Sequence, residues 1–169
     1  MKKVFGVIAL ALLLSVISIG CSKSSSNESE VELLINGFVN KLYTVEYQSI
    51  PKIDIEAIKE QDKKIEPYVT ADLLNKLRDN GETAISVRIS GKSKSNIEAT
   101  TNEIKVKKTD GVKDSYDVSY NIQVKVIDQN NKQVKEYKMP GESTVIKTGD
   151  KWVINKIWSD KRELSVYFN

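Results

Sequence analysis

Between Val31 and Tyr47 the apolar residues Val31, Leu34, Ile35, Phe38, Leu42 and Val45 recur at helical spacing, which predicts a long amphipathic helix. Gly37 interrupts it at a cost of about 1 kcal/mol relative to Ala, so close packing over that position is expected. Pro51 punctuates the chain. A second helix is predicted over Ile53–Glu66, with Ile55, Ile58 and Ile65 inward and Glu60 and Lys64 paired on the charged face. Pro67 closes it. Thr70-Ala71-Asp72 then reads as the N-cap of a third helix carrying Leu73, Leu74 and Leu77, stopped by Asn80-Gly81. The stretch Ala84–Lys94 is ambiguous: Ile85, Val87 and Ile89 alternate like a strand, but Ser-Gly-Lys-Ser follows at once.

From there the period falls to two. Tyr116, Val118, Tyr120, Ile122, Val124 and Val126 alternate with polar residues, a long strand with one dry and one hydrated face. Before it, Ile97 and Ala99 are odd-numbered while Ile104 and Val106 are even-numbered. A β-bulge near residues 100–103 would turn both sets to the core. Asp110-Gly111 marks the connection, longer than a two-residue hairpin. A third strand is expected over Gln133–Met139, interrupted by Pro140-Gly141 and continued over Glu142–Lys147 after a second bulge. Thr148-Gly149-Asp150 turns into the fourth, Trp152–Trp158. Three helices followed by four antiparallel strands predict an α+β fold, N-terminal helices packed on one face of a curved four-stranded sheet.

The N-terminus belongs to a different pattern. Lys2 and Lys3 precede an apolar run from Val4 to Ile19, the layout of a secretory signal. Ser18-Ile19-Gly20-Cys21 resembles the bacterial lipobox, which implies cleavage after residue 20 and diacylglycerol on the Cys21 thiol. Ser18 departs from the Leu usual there. An uncleaved anchor is the other reading, but the run is short of the roughly 20 residues a bilayer needs. Either way the rest of the chain lies outside the cytoplasm. The expected organisation is a signal over 1–20, lipidated Cys21 and a polar tether over 21–29, and one domain over 30–169.

Composition narrows the chemistry. Removing 1–20 leaves 149 of the 169 residues, enough to bury roughly 70% of the unfolded surface in one domain. It takes away two of the 26 basic side chains and none of the 23 acids, so the balance is close to neutral and no nucleic-acid partner is expected. Cys21 is the only cysteine, so the domain has no internal disulfide. There is no histidine, which removes the commonest general base and metal ligand. Asp128 and Asn130 begin like a calcium loop, but Lys132 takes the next ligand position. No cofactor or metal is expected.

The order of elements resembles the NTF2-like (cystatin-like) superfamily. The stretches that carry the resemblance are Phe38–Tyr47, Tyr68-Val69-Thr70-Ala71-Asp72-Leu73-Leu74, and Gly149-Asp150-Lys151-Trp152-Val153-Ile154. The chain is also similar to small extracytoplasmic lipoproteins of Gram-positive bacteria. Conjugation domains of the VirB8 type share the fold but hang from a transmembrane helix. The resemblance implies a sheet curled around a cavity, used for catalysis in some members and only for docking in others. The candidate cavity-lining residues are Tyr43, Tyr47, Tyr68, Tyr116, Tyr120, Trp152 and Trp158. No Asp or Glu interrupts the apolar face from Tyr116 to Val126, so the isomerase-like carboxylate–tyrosine pair lacks its base, and packing explains these aromatics as well. Lys92, Lys94, Lys105, Lys107, Lys108 and Lys113 fit a solvated sheet or an anionic lipid surface. The alternating Leu164, Val166 and Phe168 fit tail packing or strand addition to a partner. The expectation is a non-catalytic binding domain held at the membrane by Cys21, with an envelope protein as partner. A small apolar ligand is the alternative.

Overall fold

The computed structural model describes residues 22–49 and 55–167. The lipobox with Cys21, Pro51 and Ile53 lie outside them. Helices α1 (Ser22–Tyr43), α2 (Ile55–Ile65), α3 (Ala71–Asp79) and α4 (Ile85–Ser93) precede strands β1 (Asn96–Lys108), β2 (Ser115–Ile127), β3 (Gln133–Thr148) and β4 (Lys151–Ser159). The strands form one antiparallel meander in the order β1-β2-β3-β4. This is the expected α+β architecture, with N-terminal helices followed by a four-stranded antiparallel sheet. Among the described residues no helix is long and apolar enough to cross a membrane.

Helix α1 buries Val31, Ile35, Phe38, Val39 and Leu42 completely. It reaches back to Ser22, so the polar segment expected as a tether is helical. Once a helix is nucleated by its buried turns, each added residue gains a hydrogen bond at little cost. It ends at Tyr43 rather than Tyr47, because Val45 exchanges two backbone bonds with Ile97 of β1 (2.9 and 2.8 Å). The orphan carbonyls of its last turn are taken up by other elements. Gln61 Nε2 donates to Lys41 O and to Leu42 O (2.9 Å), and Ser86 Oγ donates to Leu42 O (2.8 Å).

In α2 the buried residues are Gln61, Asp62 and Ile65. Ile55, expected inward, is exposed at the first position of the helix, while Ala57 two residues on packs against the core. Glu60 pairs with Lys63 (2.6 Å), three residues on, instead of Lys64. Thr70 caps α3 as expected, its Oγ1 accepting from Leu73 N (3.3 Å) while its own N–H donates to Ile154 O (2.9 Å). The ambiguous stretch is helical. Ile85, Val87 and Ile89 are buried together with Ser86 and Ser90, whose hydroxyls are satisfied by Leu42 O and Ser95 O (both 2.8 Å). A helix buried nearly all round hides its period, which is why the apolar alternation fitted a strand equally well.

Three register shifts bend the sheet. The first lies between Asn102 and Lys105, as expected, with Glu103 at φ +53° and its carboxylate accepting from Asn121 Nδ2 (2.8 Å). The second opposes Val126/Ile127 of β2 and sets Val134 out of the ladder. The third opposes Thr144/Val145 of β3 and falls at Asn155 of β4. The expected break at Pro140-Gly141 is absent: β3 is continuous through both. Pro140 O accepts from Asp160 N (3.1 Å), so the proline's missing N–H faces the end of β4 and costs no ladder bond.

The tail does not add a strand. Residues Arg162–Tyr167 form a short 3-10 helix, Leu164 is fully buried in the main core, and Lys161 pairs with Glu82. The Val166 side chain and Phe168 lie outside the description.

Candidate functional site

The candidate aromatics do not line one opening. Tyr43, Tyr116, Tyr120 and Trp152 belong to the packed core between helices and sheet. Burial raises the Tyr43 hydroxyl well above the ordinary phenol range, with Ser159 easing and Glu82 adding to the shift. Ser159 Oγ is nevertheless buried without a partner at hydrogen-bonding geometry. Burial likewise pushes Tyr120 up to about 12, although its hydroxyl bonds to Ser143 Oγ at 2.8 Å. Tyr116 meets Trp152 edge-on, ring centroids 5.2 Å apart, and the Lys147 ammonium sits 5.6 Å from the Trp152 ring centroid. The Trp152 indole N–H is buried without a partner.

The tyrosines fill the space in which a cavity would lie. A Cβ on Gly141 would fall 2.6 Å from the Tyr120 ring, and one on Gly37 would fall 2.7 Å from the Tyr68 ring. Tyr68 itself is half-buried. Tyr47 is half-buried at the far end of α1, its backbone N–H donating to Asn96 Oδ1 (2.9 Å). Tyr137 of β3 is a further buried aromatic, with no sequence signal beyond its strand position; Lys135 lies 4.7 Å from its ring centroid. Among the described residues Asp62 of α2 is the buried carboxylate, and it is held by Arg78 Nε of α3 (2.8 Å), not beside Tyr116 or Tyr120.

Trp158 stands apart. Up to Ile154 the even residues of β4 face the core, and Trp152 and Ile154 are buried. Asn155 is the extra residue of the third bulge, and beyond it Ile157 and Ser159 turn inward. Trp158 therefore emerges on the hydrated face, 55% exposed. There the register places Lys105, Ser119, Glu142 and Trp158 in one row across the sheet. The next row is Lys107, Asp117, Thr144 and Lys156, with Thr144 Oγ1 donating to Asp117 (3.1 Å). Short Ser and Thr on the central strands and long side chains on the edge strands leave a groove of about 750 Å³ between them. Lys105 and Lys107 on β1 and Lys156 and Trp158 on β4 form its rim, and Asp117 and Glu142 stand between them on the central strands. Such a surface can bury an apolar anchor and pair charges at its edge. The sequence signal for it was the odd-even change between Ile154 and Ile157, hidden because both residues are apolar.

No protein-family model matches the sequence, and no curated protein matches it. Solved structures do share the architecture. A periplasmic fragment of TraM matches with a TM-score of 0.59 at 11% identity, over 78% of this chain and 96% of that one. CagV, a VirB8 homolog of the type IV secretion system from Helicobacter pylori, matches with a TM-score of 0.59 at 12% identity over the same shares. An IcmL-like type IV secretion system protein from Legionella pneumophila matches at 0.59 and 13% identity, over 78% and 91%. At such identities the likeness is one of fold, and the chain has the α+β fold of these three proteins.

Proposed function

We propose that this chain is an extracytoplasmic lipoprotein, anchored by diacylglycerol on Cys21, whose domain docks a protein component of a cell-envelope assembly and catalyses nothing. The observation that carries the docking reading is the groove around Trp158. An exposed tryptophan set among separated charges on a stiff sheet is the composition of an interface hot spot. The packed tyrosines and the lack of an inward acid beside them, among the described residues, support binding at the surface over binding inside. The similar folds of the TraM fragment, CagV and the IcmL-like protein support an assembly of the secretion type. Ser18-Ile19-Gly20-Cys21 supports the lipid anchor, with residues 1–20 removed and the domain occupying 30–169.

The test is capture of partners after lysine-directed crosslinking in intact cells, comparing the wild type with Trp158→Ala. A discrete adduct formed by the wild type and lost in the variant is expected. Identical adducts from both chains, or none from either, would overturn docking through this face.

A further inference from the structure

We infer that the β1–β2 hairpin tip, Lys107 to Lys113, is a second membrane contact, seated on anionic phospholipid headgroups beside the anchor. This rests on the anchoring reading above. Asn27 of α1 lines the same concavity as Lys108, Val112 and Lys113 of the hairpin, so the helix enters the domain beside the tip. Ser22 lies only five residues before Asn27, about 7.5 Å along a helix axis. Cys21 immediately precedes Ser22. An anchor there therefore holds the tip about one Debye length from the bilayer, close enough for its lysines to feel the surface.

The tip is built for that surface. Val112 is 54% exposed at its apex. Lys107, Lys108 and Lys113 surround it, and the Lys147 backbone N–H bonds to Asp114 O (3.0 Å), bringing the turn with Lys147 and Lys151 alongside. These five lysines outnumber the acids of the two turns, Asp110, Asp114 and Asp150. The ion pair of Lys107 with Asp110 (3.1 Å) is almost fully exposed and is readily exchanged for a phosphate. A single apolar residue ringed by lysines suits an interface of headgroups over acyl chains. Of the tip residues Lys107 also borders the Trp158 groove, whereas Lys108, Val112 and Lys113 line the concavity with Asn27, so docking a protein in the groove and lipid at the tip are compatible.

The experiment uses the full lipidated chain carrying Val112→Cys, with an environment-sensitive thiol fluorophore, in vesicles of phosphatidylcholine alone or mixed with phosphatidylglycerol. Val134, equally exposed but in the β2–β3 region at the far end of the sheet, is the control as Val134→Cys. Emission from position 112 should shift to the blue and rise severalfold when phosphatidylglycerol is present, and position 134 should not respond. Replacing Lys108 and Lys113 by Gln, which leaves the groove residue Lys107 in place, should lower the docked-to-free ratio about 25-fold, at about fivefold per lysine. An anchored chain whose position 112 stays aqueous in both vesicles, or whose two positions respond alike, overturns the tip contact alone. A wild-type chain that takes the fluorophore at Cys21 and washes off the vesicles overturns the anchoring reading, and the tip contact with it.

Discussion

Trp152 and Trp158 carry the same side chain and opposite energetics. Trp152 is almost wholly buried against Tyr116, so Trp152→Ala should cost about 3–5 kcal/mol in urea unfolding, by lost burial and the cavity left behind. Trp158 is mostly solvated, and Trp158→Ala should change stability by less than about 0.5 kcal/mol while removing partner capture. The buried phenols make a prediction about pH. Tyr43 and Tyr120 are raised in the folded state, so the unfolded chain loses its phenolic protons first, near the ordinary value of 10. The native state then holds more protons, and stability falls as pH rises from 10 towards 12. For Tyr120 the loss should be of order 2 kcal/mol by pH 12, and Tyr120→Phe should flatten that part of the stability–pH profile. Below pH 9 the two chains should follow parallel curves. Residue identity and strand or helix period mark these tyrosines as inward. They do not mark whether the space beyond is open, because that depends on Gly141 lying under Tyr120 and Gly37 under Tyr68.

At the scale of elements those two glycines are unequal. Gly141→Ala drives a methyl into Tyr120, a ring buried on every side and tied to Ser143, whereas Gly37→Ala meets the outer end of half-exposed Tyr68. Gly141→Ala should therefore destabilise by about 1–3 kcal/mol, and Gly37→Ala by clearly less, as read from denaturant midpoints with unchanged slope. The tail is part of the core: Leu164→Ala should cost about 2–5 kcal/mol, which a tail reserved for a partner's sheet would not show. Elements with a clean period were legible before folding. The β2 alternation, the Thr70 cap and the odd-even change in β1 all reappear because a half-buried strand or a capped helix writes its geometry into the residues. The α4 helix and the Asn155 bulge were not legible. In the first, burial on nearly every side erases the period; in the second, apolar residues flank the shift and conceal it. The end of α1 was misplaced because the bond between Val45 and Ile97 is tertiary, joining residues 52 positions apart.

For the whole molecule, the proposed arrangement has one membrane pole and one docking face. The chain enters along α1 beside the β1–β2 tip, the helices cover the inner side of the sheet, and the outer side presents the groove. Anchoring fixes that pole at the membrane and leaves the sheet face free to meet a neighbour projecting from the same bilayer. Two acyl chains suffice for stable attachment, so the domain would search a surface instead of a volume, which raises its effective concentration for a co-anchored partner. The central claim is that recognition happens on the outer sheet face at Trp158. The most direct measurement places a photoreactive amino acid singly at Trp158, at Ser119 on the groove floor, and at Leu33 on the exposed side of α1, in the full chain in intact cells. The account predicts the same protein adduct from positions 158 and 119 and none from 33. Adducts from 33 alone, or no adduct at 158 and 119 while the chain is membrane-bound, would contradict it.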